Sequence, residues 1–152
     1  MTIPTEGTEG LCRVLVVDDD LDLLPYLATS LRELSDFAII TATNGAEALE
    51  RFFEVQPQCV VIDVRMPLLD GYQLVRALRG DQASAATPLV ILTAMVQDKD
   101  RFAGLAAGAD QYLLKPVKPL ELIMAIEAAI ALDQEERLRR FARLAQEPPP
   151  ER

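Results

Sequence analysis

No histidine occurs anywhere in the 152 residues. Its absence excludes most zinc sites, every Ser–His–Asp triad and any phosphohistidine formed within this chain. Tryptophan is also missing and aromatics make up only 5% of residues, yet half the chain is hydrophobic. The core must therefore be aliphatic. Only two cysteines are present, Cys12 and Cys59, each opening an apolar run. That usage reads as buried, reduced thiols in a cytoplasmic setting, not as a disulfide framework. Basic residues are outnumbered, giving a net charge of −9 and a pI near 4.5. Direct nucleic-acid binding needs a basic face and is not expected. The excess of acid suits a cation site or a basic partner. No apolar run approaches the 18 residues that a membrane span needs. The opening MTIPTEGTEG has neither a basic region nor an apolar core, so no secretory signal is expected.

What is present is alternation. Apolar β-type runs fall at 12–17, 37–42, 59–63, 88–94 and 110–115. Between and after them lie helical patterns at 21–34, 44–55, 70–80, 98–108 and from Pro119 to about Gln146. Leu24, Leu27, Leu31 and Leu34 mark one face of the first helix. Asp20 reads as its N-cap, and Asn44 with Glu47 forms a capping-box pattern before the second. Near-continuous apolar strands imply a sheet covered on both faces, and helices between strands imply parallel pairing. The expected fold is an α/β, doubly wound, five-stranded parallel sheet of flavodoxin type, order 2-1-3-4-5, with five helices and an extended last helix. Residues 1–10 read as a disordered lead, 11–132 as the domain, and 133–152 as a helical extension with a proline-rich tail.

In such folds ligands sit at the carboxyl ends of the strands. Those ends carry Asp18, Asp19 and Asp20 after the first strand, Asp63 on the third, Thr93 on the fourth and Lys115 on the fifth. Two carboxylates about 4 Å apart repel by roughly 4 kcal/mol at an effective dielectric of 20. Either one pKa rises or a cation binds. Oxygen donors without nearby His or Cys favour Mg²⁺, which pairs with one or two carboxylates, waters and a phosphate oxygen. That points to phosphoryl chemistry, with Asp63 on the central strand as nucleophile and Thr93 and Lys115 as donors to phosphoryl oxygens. Any one of these residues alone would be a cap, a turn residue or a surface lysine. Four strand ends with complementary chemistry form a pattern.

The stretches VLVVDDD, VVIDVRMPLLDG, ILTA and GADQYLLKP resemble the four signatures of the response-regulator receiver domain of two-component signalling. The separations Asp19–Asp63, Asp63–Thr93 and Thr93–Lys115, of 44, 30 and 22 residues, are similar to that family's as well. The resemblance covers about residues 11–132. It implies that Asp63 is the phosphoacceptor. It also implies that Asp18, Asp19, Asp63 and the backbone carbonyl of Arg65 hold Mg²⁺, and that Lys115 binds phosphate. Thr93 and Tyr112 are implied as switch residues, and the Lys115–Pro116 bond as cis. The implied partners are a histidine kinase or phosphotransfer protein as donor and an output protein of unknown identity. The implied response is a conformational change at the face of the fourth helix, fifth strand and last helix, about 98–132. The domain would catalyse its own phosphorylation and dephosphorylation without turning over an external substrate.

Two features are particular to this chain. Arg65 and Met95 stand two residues after Asp63 and Thr93. The Arg65 guanidinium either rests over the acids in place of a metal or projects into solvent. An Asp-nucleophile phosphohydrolase would want a second acid at the position Arg65 occupies, which disfavours that class. The tail LDQEERLRRFARLAQEPPPER carries an apolar stripe, Leu138, Phe141 and Ala145, and the i,i+4 pairs Glu135–Arg139 and Glu136–Arg140. Three readings of it stand: packing on a second chain, folding back on its own domain, or a solvated extension. A homodimer would use either the 98–132 face or this C-terminal helix. The chain reads either as a stand-alone regulator or as the receiver of a longer protein with an output domain.

Overall fold

A computed structural model describes residues 11–63, 71–93 and 108–132, together with Glu135, Glu136 and Arg139. The strands are β1 (Arg13–Val17), β2 (Ala38–Ala42), β3 (Cys59–Asp63), β4 (Leu89–Thr93) and β5 (Gln111–Leu114). The helices are α1 (Leu23–Leu34), α2 (Gly45–Val55), α3 (Gly71–Gly80) and α4 (Pro119–Ala131). All strands pair in parallel in the order β2-β1-β3-β4-β5, the doubly wound arrangement expected. The helix expected over 98–108 and the loop with Arg65 lie outside the described residues.

Side-chain alternation splits the core into two layers. Val14, Val16, Cys59, Val61, Val90 and Leu92 point towards α1 and α4. Leu15, Val17, Val60, Ile62, Leu89 and Ile91 point towards α2 and α3. Strands buried on both faces need no polar residue in either parity, which is why these runs are continuously apolar. Burying each such side chain stabilises by about 1.5–3 kcal/mol. The register sets the carboxyl ends level: Asp63 pairs with Leu92 and Thr93 with Leu114.

Helix starts follow the expected chemistry. Asp20 Oδ1 accepts from the N–H groups of Asp22 and Leu23, capping the turn that leads into α1. Asn44 accepts from the Glu47 N–H, and Glu47 reaches back to the N–H of Thr43, one residue earlier than a capping box predicts. Leu24, Leu27 and Leu31 are buried with Ala28, but Leu34 is 53% exposed. Leu34 lies at the margin of the stripe in the last turn, so its rotation carries it off the sheet. The long last helix expected from Pro119 stops at Ala131, because Leu132 adopts an extended ψ of 130°. Glu135, Glu136 and Arg139 are helical again, with Arg139 paired to Glu136 at 2.8 Å. At the sheet edge, Arg32 donates to the carbonyl of Ile39 on β2 at 2.9 Å.

The amino-terminal rim of the sheet is tied by a buried ion pair that spacing does not reveal. Arg79, from the last turn of α3, lies 3.0 Å from Asp110, with side chains only 4% and 3% exposed. Its guanidinium also donates to the carbonyls of Gly108, Ala85 and Thr87. Asp110 in turn accepts from the N–H of Leu89 on β4. Gly108 has φ +101°, and a Cβ there would come within 2.9 Å of the Arg79 side chain. Removing one partner of such a pair leaves a buried charge uncompensated, at a cost of about 3–5 kcal/mol. Arg79→Met is therefore expected to lower unfolding free energy by about that amount in denaturant melts. Arg79→Lys should recover little, since one ammonium cannot reach four acceptor groups on separate segments.

Candidate functional site

The site is assembled by the parallel sheet itself. Leaving the sheet, β1 delivers Asp18 and Asp19, β3 ends on Asp63, β4 ends on Thr93, and Lys115 follows β5. Asp18 is held by its own backbone: its N–H donates to the carbonyl of Ala42 and its Oδ1 accepts from the N–H of Asp20. Asp18 and Asp63 are 1% and 5% exposed, whereas Asp19 is open to solvent. One carboxylate oxygen from each of Asp18, Asp19 and Asp63 lies within 4.8 Å of the others. Asp20 is not part of this group. Its carboxylate is turned to the start of α1, and the N–H donors of Leu23 and Asp22 hold its pKa below the usual value.

Lys115 completes the cluster. Its ammonium lies 3.2 Å from Asp18 Oδ2 and 3.2 Å from Asp63 Oδ1. Burial pulls its pKa down, but the fields of Asp63 and Asp18 together outweigh burial and leave it raised. The Lys115 N–H donates to the carbonyl of Thr93, and the Lys115–Pro116 peptide is cis, as expected. Three carboxylates and one ammonium thus share this rim. A donor set made only of carboxylate oxygens fits a hard divalent cation.

Thr93 is buried at the end of β4, in register one step beyond the Asp63 pair. Tyr112 is half-buried on β5 against the α2/α3 layer, and its buried hydroxyl has no hydrogen-bond partner among the described residues. Arg65 and Met95 lie outside those residues. Neither cysteine is in a disulfide, and both lie at the opposite ends of their strands from the acids; burial pushes the Cys12 thiol up, with Arg13 opposing. The Arg79–Asp110 pair is the contact that residue spacing missed, because its partners are 31 positions apart with no local signature. No described helix is long and apolar enough to cross a membrane.

A lysine whose folded pKa is raised stabilises the fold fully below its unfolded pKa, about 10.4. That stability is lost as pH climbs through the higher folded value. In metal-free buffer, Lys115→Met should therefore be less stable than the parent protein at neutral pH. The gap should narrow above about pH 10.4 as the parent's ammonium titrates. Denaturant melts across that range check the trend, and a gap that stays constant would contradict it.

Residues 14–127 match the family model described as the response regulator receiver domain. The transcriptional regulatory protein PrrA of Mycobacterium leprae is 47% identical over 118 residues, covering 78% of this chain and 49% of PrrA. The chain thus spans about half the length of the curated relatives it matches. A putative response regulator from Chloroflexus aurantiacus superposes with a TM-score of 0.75 at 32% identity, covering 80% of this chain and 99% of that one. The chemotaxis protein CheY4 of Vibrio cholerae gives 0.73 at 28% identity, with 78% and 98% covered. The sheet order, the gathered strand-end acids and these likenesses converge: the chain belongs to the family of response-regulator receiver domains.

Proposed function

We propose that the domain accepts a phosphoryl group on Asp63 and uses it to change the shape of a docking face. The observation that carries this reading is the convergence of Asp18, Asp19, Asp63 and Lys115 at one sheet rim. Asp18 and Asp19, with Asp63 and the Arg65 carbonyl, would hold Mg²⁺. When bound, that ion offsets charge on the carboxylates and on incoming phosphate oxygens. A carboxylate oxygen of Asp63 attacks phosphorus and forms a new P–O bond. The bond to the donor's leaving group breaks, and that group departs with the electron pair.

The donor is a phosphohistidine on a kinase or phosphotransfer protein, or a small acyl phosphate, because this chain contains no histidine. Lys115 already lies against Asp63, so it can follow the charge onto a phosphoryl oxygen without a long movement. Thr93 supplies a hydroxyl from the adjacent strand end. Its movement towards the phosphoryl group alters the space available to Tyr112, whose partnerless hydroxyl gives it a reason to reorient. The result is a shift between two populated states, read out by an output protein at the β5 and last-helix face. Hydrolysis of the acyl phosphate resets the domain.

Incubation with Mg²⁺ and acetyl phosphate should add one phosphoryl group by intact mass, and Asp63→Asn should abolish it. Beryllofluoride binding, followed by perturbation of Thr93 and Tyr112 resonances, tests the same site without a covalent donor. An unmodified parent chain that also ignores beryllofluoride would rule the mechanism out.

A further inference from the structure

The last strand of the sheet, β5, pairs with β4 alone among the described strands. None of its four residues is fully buried, whereas all five of β4 are. Its side chains do little to fix its position. Tyr112 packs into the α2/α3 layer, Leu113 into the α1/α4 layer, and Leu114 is exposed. A slip of one residue, pairing Leu113 with Ile91, would set Leu113 where Tyr112 stands and Leu114 where Leu113 stands. Apolar residues would replace apolar ones, so the hydrophobic pattern specifies this register only weakly. The same slip would draw Lys115 back by about 3.3 Å and turn it to the other face of the sheet. Its two 3.2 Å contacts, with Asp18 and Asp63, depend on its present place. The register of β5 therefore needs a hold from outside the strand.

We propose that Arg79 and Asp110 are positioning residues that lock β5 in register against β4 and so place the Lys115 ammonium between Asp18 and Asp63. The guanidinium grips the entry to each strand. Its Nη1 donates to the carbonyls of Ala85 and Thr87, just ahead of β4. Its Nε and Nη2 both donate to the carbonyl of Gly108, and Nη2 also to Asp110, just ahead of β5. Asp110 then closes on Leu89 twice. Its N–H donates to the Leu89 carbonyl and its Oδ2 accepts from the Leu89 N–H, each at 2.8 Å. A slipped β5 would pull the carboxylate away from that N–H and the Gly108 carbonyl away from the guanidinium. Both side chains are buried, so groups left unmatched there would be costly. The pair thus supplies the penalty that the apolar pattern lacks. Lys115 follows Asp110 by five residues, about 16 Å of strand, so it inherits the setting directly.

The consequence for a phosphoryl analogue rests on the receiver reading; the register itself does not. Arg79→Met combined with Asp110→Leu removes the pair without stranding a charge. In metal-free buffer, cross-strand nuclear Overhauser contacts in this double variant should place Ile91 opposite Leu113, whereas the parent pairs it with Tyr112. With Mg²⁺ saturating, beryllofluoride affinity should fall several-fold. Mg²⁺ affinity should hold or tighten, because the acids lose a competing ammonium; a merely weakened fold would lower both. Asp110→Asn keeps an acceptor for the Leu89 N–H and should retain the parent's register and beryllofluoride affinity. In the unsubstituted chain, the Leu89 N–H should exchange with deuterium no faster than those of Val90 and Ile91. Faster exchange there, a parental register in the double variant, or a parallel loss of both affinities would overturn the proposal. A parent chain that ignores beryllofluoride would count against the receiver reading alone, and the Overhauser contacts and amide exchange would still decide the register.

Discussion

One ammonium group between two buried carboxylates is the contact on which the site depends. Asp18 and Asp63 come from different strands and neither is free to escape to solvent. Without a counter-charge, each would penalise the folded state through desolvation and mutual repulsion. Lys115, carried in by a third strand, meets both at 3.2 Å. A third carboxylate, Asp19, lies within 4.8 Å of both acids, and a cluster of carboxylate oxygens of this kind suits a hard divalent cation.

The opposite rim follows the other strategy. All five guanidinium N–H groups of Arg79 belong to three nitrogens, and each of those nitrogens meets at least one acceptor. Nothing there is left for a ligand. The two rims thus divide the work of the sheet. The amino-terminal one joins α3, the approach to β4 and the approach to β5 into one rigid base. The carboxyl-terminal one gathers three carboxylates and an ammonium. Rigidity at the base lets side chains at the other end be placed by strand register instead of by loop conformation.

The sheet was legible in the sequence because strands buried on both faces have a signature of their own, and the acids were legible because parallel strands deliver all their carboxyl ends to one side. Thr93 and Lys115 could be placed for the same reason. Asp20 was legible as well: it reads as a cap, and its carboxylate accepts from the N–H groups of Asp22 and Leu23 at the start of the first helix. Arg79 and Asp110 were not legible. A single arginine at a helix end and a single aspartate before a strand are ordinary, and their meeting depends on tertiary packing. The end of α4 at Ala131 was missed because Leu132, Asp133 and Gln134 carry no glycine or proline to announce a break.

Arg32 also bears on how this molecule associates. By donating to the Ile39 carbonyl, it occupies an outward-facing acceptor on β2, the edge strand at one end of the sheet. An incoming strand would need that acceptor to begin pairing. The sheet is therefore guarded against growth on the β2 side by a charged group already bonded there. At the other end, β5 carries the exposed Leu114, which shares the parity of Tyr112 and so points to the sheet face opposite α4. The two edges of the sheet are thus unequal: one carries a charged group already bonded to its outer acceptor, the other an exposed leucine.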